Sequence, residues 1–370
     1  MAPKNKGAGQ DQGAGGPGPD LAALYRSVAK KSGADVVLGV DMAPTAWLST
    51  GMPLVDLAFG GGIPRGRITH VWGDSVTGKS ALGLWLIAQQ QKAFPSSAIC
   101  VLDTEKALAL PFMESMGVNA SKLAVFDPRT VEDTFKCAEE FVTQAVALGI
   151  PGEQILVIWD SLAATLPTNE ADGDYDDPRR PGSLAASISL GLKKIRPIMV
   201  NSGAVFLVLN QCRSKIGVMF GAKTGPCGGL SPKFYADLSV RATGMATFKH
   251  GDNPYGLKIG LTVEKSRVGI NAGRKARYHC YFIAGILTDL PEFYDALKLY
   301  GLARNSGAKI IVGEREFSNK ADFLDVLGND PPYRQTLVDA ISAQMLVGTV
   351  VADSDAPALA NDTADESGDE

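Results

Sequence analysis

The chain has 370 residues, 45% of them hydrophobic and 21% charged, which is enough to bury a large core and, on length, to build two or three domains. No apolar stretch reaches the ~20 residues of a membrane span, no apolar signal core follows Met1-Ala2-Pro3-Lys4-Asn5-Lys6, and five widely spaced cysteines suggest neither disulfides nor zinc, so a cytoplasmic globular protein is expected. The net charge of −4 is uneven, because the seven acids from Asp353 onward meet no Lys or Arg and leave +3 on residues 1–352, a mildly basic body with an acidic tail.

Residues 1–20, dominated by Gly, Pro, Gln and Asn, predict a disordered tail, since they bury too little surface to offset the entropy of ordering. Asp20 then caps a predicted helix over 21–31, with Leu21, Leu24, Val28 and Ala29 roughly on one face and Gly33 near its stop. An amphipathic helix in a segment 21–44 outside the core needs a partner surface, either its own body or a neighbouring subunit. From 45 to 285, short apolar runs alternate with helical stretches, the pattern of an α/β domain. The runs 68–72, 98–102, 155–159 and 204–209 are nearly continuous in hydrophobicity, as in parallel strands buried on both faces. Two later runs, 257–263 and 277–283, alternate more and read as antiparallel strands added at one edge. Residues 286–350 read as a small separate α/β lobe, and 351–370 as an acidic disordered tail.

Chemistry enters at Gly73-Asp74-Ser75-Val76-Thr77-Gly78-Lys79-Ser80, a phosphate-binding loop placed between a strand and a helix. Its glycines let backbone N–H groups approach phosphate oxygens, Lys79 supplies charge to the β and γ phosphates, and the Ser80 hydroxyl can ligate magnesium. ATP with Mg2+ is the expected ligand. Asp160 ends the run 155–159, where a parallel sheet opens its ligand crevice, and is suited to the metal's water shell. Glu105 follows the run 98–102 and either orients a hydrolytic water or merely complements a helix dipole. Asn210-Gln211 ends the fourth run with an amide able to sense a γ-phosphate. Beyond it, 212–229 reads as one long mobile loop of glycines, cations and apolar side chains, suited to phosphates and bases or simply flexible.

These motifs, in this order, resemble the RecA family of homologous-recombination ATPases over roughly residues 20–350. The carriers are the phosphate loop, Asp103-Thr104-Glu105, Asp160-Ser161, Asn210-Gln211, Lys215-Ile216-Gly217-Val218-Met219-Phe220-Gly221 and Lys233-Phe234-Tyr235-Ala236. Val263-Glu264-Lys265-Ser266-Arg267 looks more like the phage UvsX-type branch. The resemblance implies a RecA-like P-loop NTPase core with a central, mostly parallel sheet, an N-terminal oligomerisation helix and a small C-terminal α/β domain. By similarity, Glu105 activates water, Gln211 couples the γ-phosphate to a second DNA loop at 212–229, and Lys265 and Arg267 reach the adjacent subunit's nucleotide. DNA contacts are implied for Gly182, Ser189 and Lys193, in or after a first loop at 168–182. They are also implied for Arg213, Lys215, Ile216, Gly217, Val218, Met219, Phe220, Gly228 and Gly229. Phe234 would lie at the subunit interface, and the 21–31 helix would dock on the neighbour.

Two departures concern the base. Phe112 stands where the bacterial proteins place a tyrosine, and Ala109 where they hold an acid, which implies looser nucleotide specificity. The acidic run 172–177 in the first loop disfavours DNA phosphates there. The activity implied is a DNA-dependent ATPase that forms helical filaments on single-stranded DNA and exchanges strands with a homologous duplex. Its partners would be both DNAs, other copies of the chain, a single-strand binding protein and a recombination mediator. Two rivals share the core: a hexameric helicase, and a nucleotide-gated mediator or paralogue that barely hydrolyses.

Overall fold

A computed structural model describes residues 20–33, 45–174, 182–214, 224–269 and 271–347. Two compact units divide the chain at Pro44/Thr45. In the first, helix α1 spans Leu21–Ser32, with Asp20 Oδ1 accepting the Ala23 N–H at 3.0 Å and Gly33 closing it in the left-handed region. Leu21, Leu24, Tyr25 and Val28 are exposed at helical spacing and form one apolar stripe.

The second unit opens with β1 (Trp47–Leu48), α2 (Pro53–Phe59) and β2 (Ile63–Pro64), followed by β3 (Ile68–Gly73), α3 (Lys79–Ala93), β4 (Ala98–Asp103) and α4 (Leu110–Ser115). Next come β5 (Ala124–Phe126), α5 (Val131–Ala147), β6 (Ile155–Asp160), α6 (Thr168–Ala171), α7 (Ser183–Ser202) and β7 (Val205–Ser214). β8 (Thr224–Pro226), α8 (Ser231–Tyr235), β9 (Leu238–His250), β10 (Asn253–Ser266), β11 (Lys275–Tyr281) and β12 (Ile286–Thr288) follow. The chain continues through α9 (Phe293–Leu299), β13 (Ala303–Ser306), β14 (Lys309–Val312), β15 (Arg315–Phe317), α10 (Lys320–Asn329) and α11 (Pro331–Val347).

The large sheet runs β12-β11-β10-β9-β3-β7-β6-β4-β5. From β9 to β5 all pairings are parallel, and from β9 to β12 they are antiparallel. Burial explains the two halves. β3 and β6 are buried at every position because helices cover both faces, whereas β10 alternates, with Leu257, Ile259, Leu261 and Val263 inward. One core layer packs α2 and α3 on the sheet, and a second packs α5 and α7 on its other face. Gly191 lets α7 approach α5 closely, since a Cβ there would lie 2.0 Å from the Phe135 ring.

Two boundaries differ from the sequence expectation. Residues 286–288 belong to the large sheet, because Leu287 pairs with Cys280 and is buried in the main core, so the lobe begins after β12. The lobe has its own core around Phe293, Leu297, Phe323 and Ile341 over the three-stranded sheet β13-β14-β15. The segment 212–229 is not a loop throughout. β7 continues through Ser214 and pairs with β8 in the register Cys212↔Pro226, Arg213↔Gly225 and Ser214↔Thr224, which makes its ends the stem of a hairpin. Residues 215–223, 175–181, 1–19, 34–44 and 348–370, with the expectations that fall on them, lie outside the described residues.

Candidate active site

The loop after β3 is shaped by close approaches that only glycine permits. A Cβ on Gly73 would sit 2.1 Å from the Ala242 carbonyl of β9, and one on Gly78 would sit 2.5 Å from Ile259 Cδ1, with Gly78 itself at φ 70. Thr77 Oγ1 donates to the Asp74 carbonyl at 2.9 Å and closes the turn. Val76, 78% exposed at the tip, is held at φ 60, a conformation costing a β-branched residue on the order of 1 kcal/mol. α3 starts at Lys79 with no side-chain cap, so its first N–H groups and the positive end of its dipole are left for an anion. Lys79 is buried, its pKa lowered by that burial, and its Nζ donates to the carbonyls of Gly73 (3.1 Å) and Asp74 (2.6 Å) and to Thr77 Oγ1 (3.2 Å).

Three acids converge from adjacent strand ends. Asp103 and Asp160 are cross-strand partners on β4 and β6. Asp160 is pushed up to about 6, first by burial and then by the Glu105 and Asp103 charges, against the Ser80 hydroxyl and Lys79, which favour its ionised form. Asp103 accepts the N–H groups of Ala107 (3.4 Å) and Leu108 (3.3 Å), so it turns the chain and is not free for catalysis. Glu105, half-buried, receives the Gln211 amide and the Ser161 hydroxyl on the same oxygen, Oε1. Thr104 Oγ1 fixes the Ser161 carbonyl at 2.8 Å. A cleft of about 340 Å³ opens here, lined by Thr104, Glu105, Ala163, Gln211, Cys212 and Arg213. The Ser161–Glu105 contact is what sequence reasoning missed: Ser161 stood there only as part of the Asp160-Ser161 motif, with no role of its own.

Asn210 and Gln211, adjacent in sequence, have different tasks. Asn210 is fully buried, and its Nδ2 donates both to His70 Nε2 (3.1 Å) and to the Cys227 carbonyl (2.9 Å). Donation to Nε2 assigns the His70 proton to Nδ1, facing Ser239 Oγ at 3.3 Å. Burial, then the nearby Lys233 charge, lowers the His70 pKa to about 3, which keeps the ring neutral. Asn210 therefore anchors the far end of the hairpin to the sheet, and Gln211 alone faces Glu105. Next to that anchor, Gly228 (φ 80) packs so closely on α7 that a Cβ would lie 2.6 Å from Ile188 Cδ1, and Gly229 (φ 71) faces Ala185. The geometry thus gathers Gly228 and Gly229 beside the helix that bears Gly182 at its N-cap, Ser189 and the exposed Lys193. Arg213, exposed, lies in the middle of the hairpin stem and reaches the Ala163 carbonyl at 3.4 Å. Lys215, Ile216, Gly217, Val218, Met219 and Phe220 are outside the described residues.

Lys265 and Arg267 are not brought to this crevice. β10 runs antiparallel to β9, so Ser266 pairs with Leu238, itself level with Thr69, and the Arg267 N–H bonds the Asp237 carbonyl at 2.7 Å. Arg267 is thus level with the start of β3, five residue steps or about 16 Å along the strand from Gly73. Both cations lie over the ring of Phe234, at 5.5 and 5.7 Å, and that ring is 61% exposed. Lys265 Nζ also donates to the carbonyls of Lys233 (2.8 Å) and Phe234 at the end of α8. Burial, then the Arg267 charge, lowers its pKa to about 8. Phe112 stands on α4, 38% exposed, with Ala109 as that helix's N-cap.

The donors suit a nucleoside triphosphate with a hard divalent cation. Among the described residues no cluster of three or more His, Cys, Asp or Glu could cage a metal by itself. Ser80 and Asp160 offer one hydroxyl and one carboxylate, the sparse set with which Mg2+ keeps waters and substrate phosphates as its other ligands.

Residues 21–287 match the family model described as the RecA N-terminal domain. The chain is 32% identical over 346 residues to the protein named RecA of Pseudomonas fluorescens, covering 92% of this chain and 94% of that one. It is 32% identical over 301 residues to RecA of Chloroflexus aggregans (81% and 82% covered) and 30% identical over 306 residues to RecA of Arthrospira platensis (82% and 80% covered).

Proposed function

The chain belongs to the RecA family and is a DNA-dependent ATPase recombinase of recombination and repair; on that premise we propose how its own residues divide the work. The nucleotide is ATP, bound by residues 73–80 with Lys79 on the β and γ phosphates and Phe112 against the base. Mg2+ is held by Ser80 directly and by Asp160 through water; when bound it neutralises charge developing on the phosphate oxygens. Glu105 orients the attacking water and takes its proton. Gln211, bonded to Glu105, senses the γ-phosphate and conveys its presence through Cys212 and Arg213 toward residues 215–220, which contact single-stranded DNA.

The observation that carries this reading is the Gln211–Glu105 contact, because the strand bearing Gln211 continues without interruption into the hairpin stem. Gly182, Ser189, Lys193, Gly228 and Gly229 complete the DNA surface. Lys265 and Arg267 serve the nucleotide of the adjacent subunit, α1 and Phe234 hold subunits together, and the result is a helical filament that exchanges strands with homologous duplex. Single-strand binding protein and a mediator act as loading partners in the cytoplasm. The narrower UvsX-type reading rests on the run 263–267 alone. Domain limits follow as 21–44 for polymerisation, 45–285 for the ATPase core and 286–350 for the small domain, adjusted by the place of β12.

The test is strand exchange between homologous DNAs with and without ATP, together with electron microscopy of the ATP-bound protein on single-stranded DNA. Filaments and ATP-dependent exchange are expected. Closed rings without filaments, or ATP turnover indifferent to single-stranded DNA, would overturn the reading.

A further inference from the structure

α7 carries Ser189, Lys193 and Arg196 at i, i+4 and i+7, one face of the helix. The first two belong to the DNA surface proposed above, but Arg196 turns to a different task. Its Nη2 lies 2.7 Å from Oδ1 of Asp237, whose side chain is 1% exposed. The second oxygen of Asp237 accepts the Ile68 N–H at 3.3 Å, and its backbone bonds Ile68 O (2.8 Å) and Arg267 N (2.7 Å). Asp237 is therefore a buried acid at the root of the strand end that bears Lys265 and Arg267.

The surroundings are crowded with cations. Arg196, Lys233, Lys265 and Arg267 gather near two acids, Asp237 and Glu264, and Lys233 is committed to Glu264 at 2.8 Å. Among the described residues neither Lys265 nor Arg267 is paired with a carboxylate; both rest on Phe234. If Arg196 were removed, Asp237 would be a buried unpaired anion near two cations that have no carboxylate partner among the described residues, and a buried charge takes whatever partner is in reach.

We propose that Arg196 is a positioning residue for the neighbour's active site: by neutralising Asp237 it keeps Lys265 and Arg267 from pairing with that carboxylate and leaves their charge available to the adjacent subunit's triphosphate. The proposal rests on the reading that these two cations act across the interface. Arg196 acts chiefly through Asp237, and its own charge also bears on Lys265.

The experiment measures ATP turnover of the full chain on single-stranded DNA. A parent without DNA-stimulated turnover, or one in which Lys265→Ala and Arg267→Ala are both silent, overturns the underlying reading and this one with it. With that reading intact, Arg196→Met should lower stimulated turnover by about tenfold or more while single-stranded DNA affinity stays within about twofold. Arg196→Lys, which can still reach Asp237, should recover most of the loss. Adding Asp237→Asn to Arg196→Met removes the charge that traps the cations and keeps an oxygen for the Ile68 N–H, so turnover should rise again. Mixing Arg196→Met with Glu105→Gln should also restore turnover, because the second variant lends intact cations to the first variant's intact site. Parent-like turnover in a folded Arg196→Met protein overturns the proposal, and so does a loss that neither Asp237→Asn nor mixing relieves. Should Arg196→Met not fold, Asp237→Asn alone decides: turnover within about threefold of the parent supports the proposal, and a loss of about tenfold or more in a folded protein overturns it.

Discussion

The two ends of strand β3 carry opposite kinds of site. At its C-terminal end, Lys79, Thr77, Ser80, Asp160, Glu105 and Gln211 are joined by hydrogen bonds and charge interactions within one chain, and the loop is held by glycines that admit no side chain. Near its N-terminal end, Lys265 and Arg267 are paired with no carboxylate among the described residues and rest on an exposed phenylalanine. One end is a pocket built to hold an anion within one chain, the other a pair of cations at an exposed surface. Along the strand, Arg267 is about 16 Å and Lys265 about 10 Å from the level of Gly73, and the Lys265 ammonium is turned onto the Lys233 and Phe234 carbonyls, so neither side chain serves its own pocket. Under the function proposed above, an anion bound at the first end of one copy and met by the second end of another would make nucleotide binding and assembly a single event.

The largest effect expected from breaking this comparison is at the pocket end. Lys79→Ala removes the charge that the loop is built to present and should lower DNA-stimulated ATP turnover by on the order of 10³-fold. A loss under about tenfold would mean that the helix N-terminus and backbone N–H groups suffice without the lysine. At the other end, Lys265→Ala or Arg267→Ala should each reduce stimulated turnover by about 10²-fold, through loss of transferred-charge stabilisation. Nucleotide affinity of dilute, unassembled protein should not change in either variant. Fluorescent-nucleotide titration at low protein concentration checks this, and weakened binding there would place the cations at their own subunit's site.

The pocket end was far more legible in the sequence than the opposite end, for a physical reason. The apolar runs of β3, β4, β6 and β7 are buried on both faces, so the end of each run marks the edge of the core, and parallel pairing puts those ends on one side of the sheet. Residues 73–80, Glu105, Asp160 and Gln211 are each at or just beyond the end of such a run, even though β7 itself runs on to Ser214. The position of Lys265 and Arg267 depends instead on β10 reversing direction, which the local pattern does not encode. The outer half of β9, from Thr243 to His250, is largely exposed and lacks the alternation that marks a strand, because the hairpin extends past the core. The stem Cys212-Arg213-Ser214 is equally silent: its residues are ordinary loop types, and only the distant partners 224–226 make them a strand. The Gln211–Glu105 contact spans 106 positions and follows from sheet order, not spacing.

The antiparallel half also offers a smaller test of how it is held to the lobe. Glu292, just after β12, bonds His279 Nε2 at 2.7 Å and Lys258 Nζ at 2.8 Å. Burial alone would raise its pKa, but the hydrogen bonds from His279 and Lys258 outweigh it and hold the carboxylate at about 2, below its ordinary value of 4.5. A depressed folded-state value contributes stability that is complete above pH 4.5 and is lost as pH falls toward 2. Thermal melts of the parent between pH 6 and pH 3 should therefore decline more steeply than those of Glu292→Gln, which is less stable at pH 6. Parallel declines would show that the carboxylate's charge is not what joins β10 and β11 to the lobe.

The smallest expected effect concerns the base. Phe112 offers a ring face and no hydrogen-bond donor, and Ala109, which caps α4, offers no acceptor beyond its backbone. Recognition by stacking alone is weak and tolerant, since every base has a π-face and a stacked pair contributes ~0.5–1.5 kcal/mol. Phe112→Ala should raise the KM for ATP by about three- to tenfold and leave kcat nearly unchanged, because the ring binds ground and transition states equally. GTP should lose the same factor, so the ratio of kcat/KM for ATP and GTP should not change. A Phe112→Tyr variant sharpens the point. If the added hydroxyl improves ATP over GTP, α4 lies near the base edge; if it changes neither, the ring meets the base only by its face.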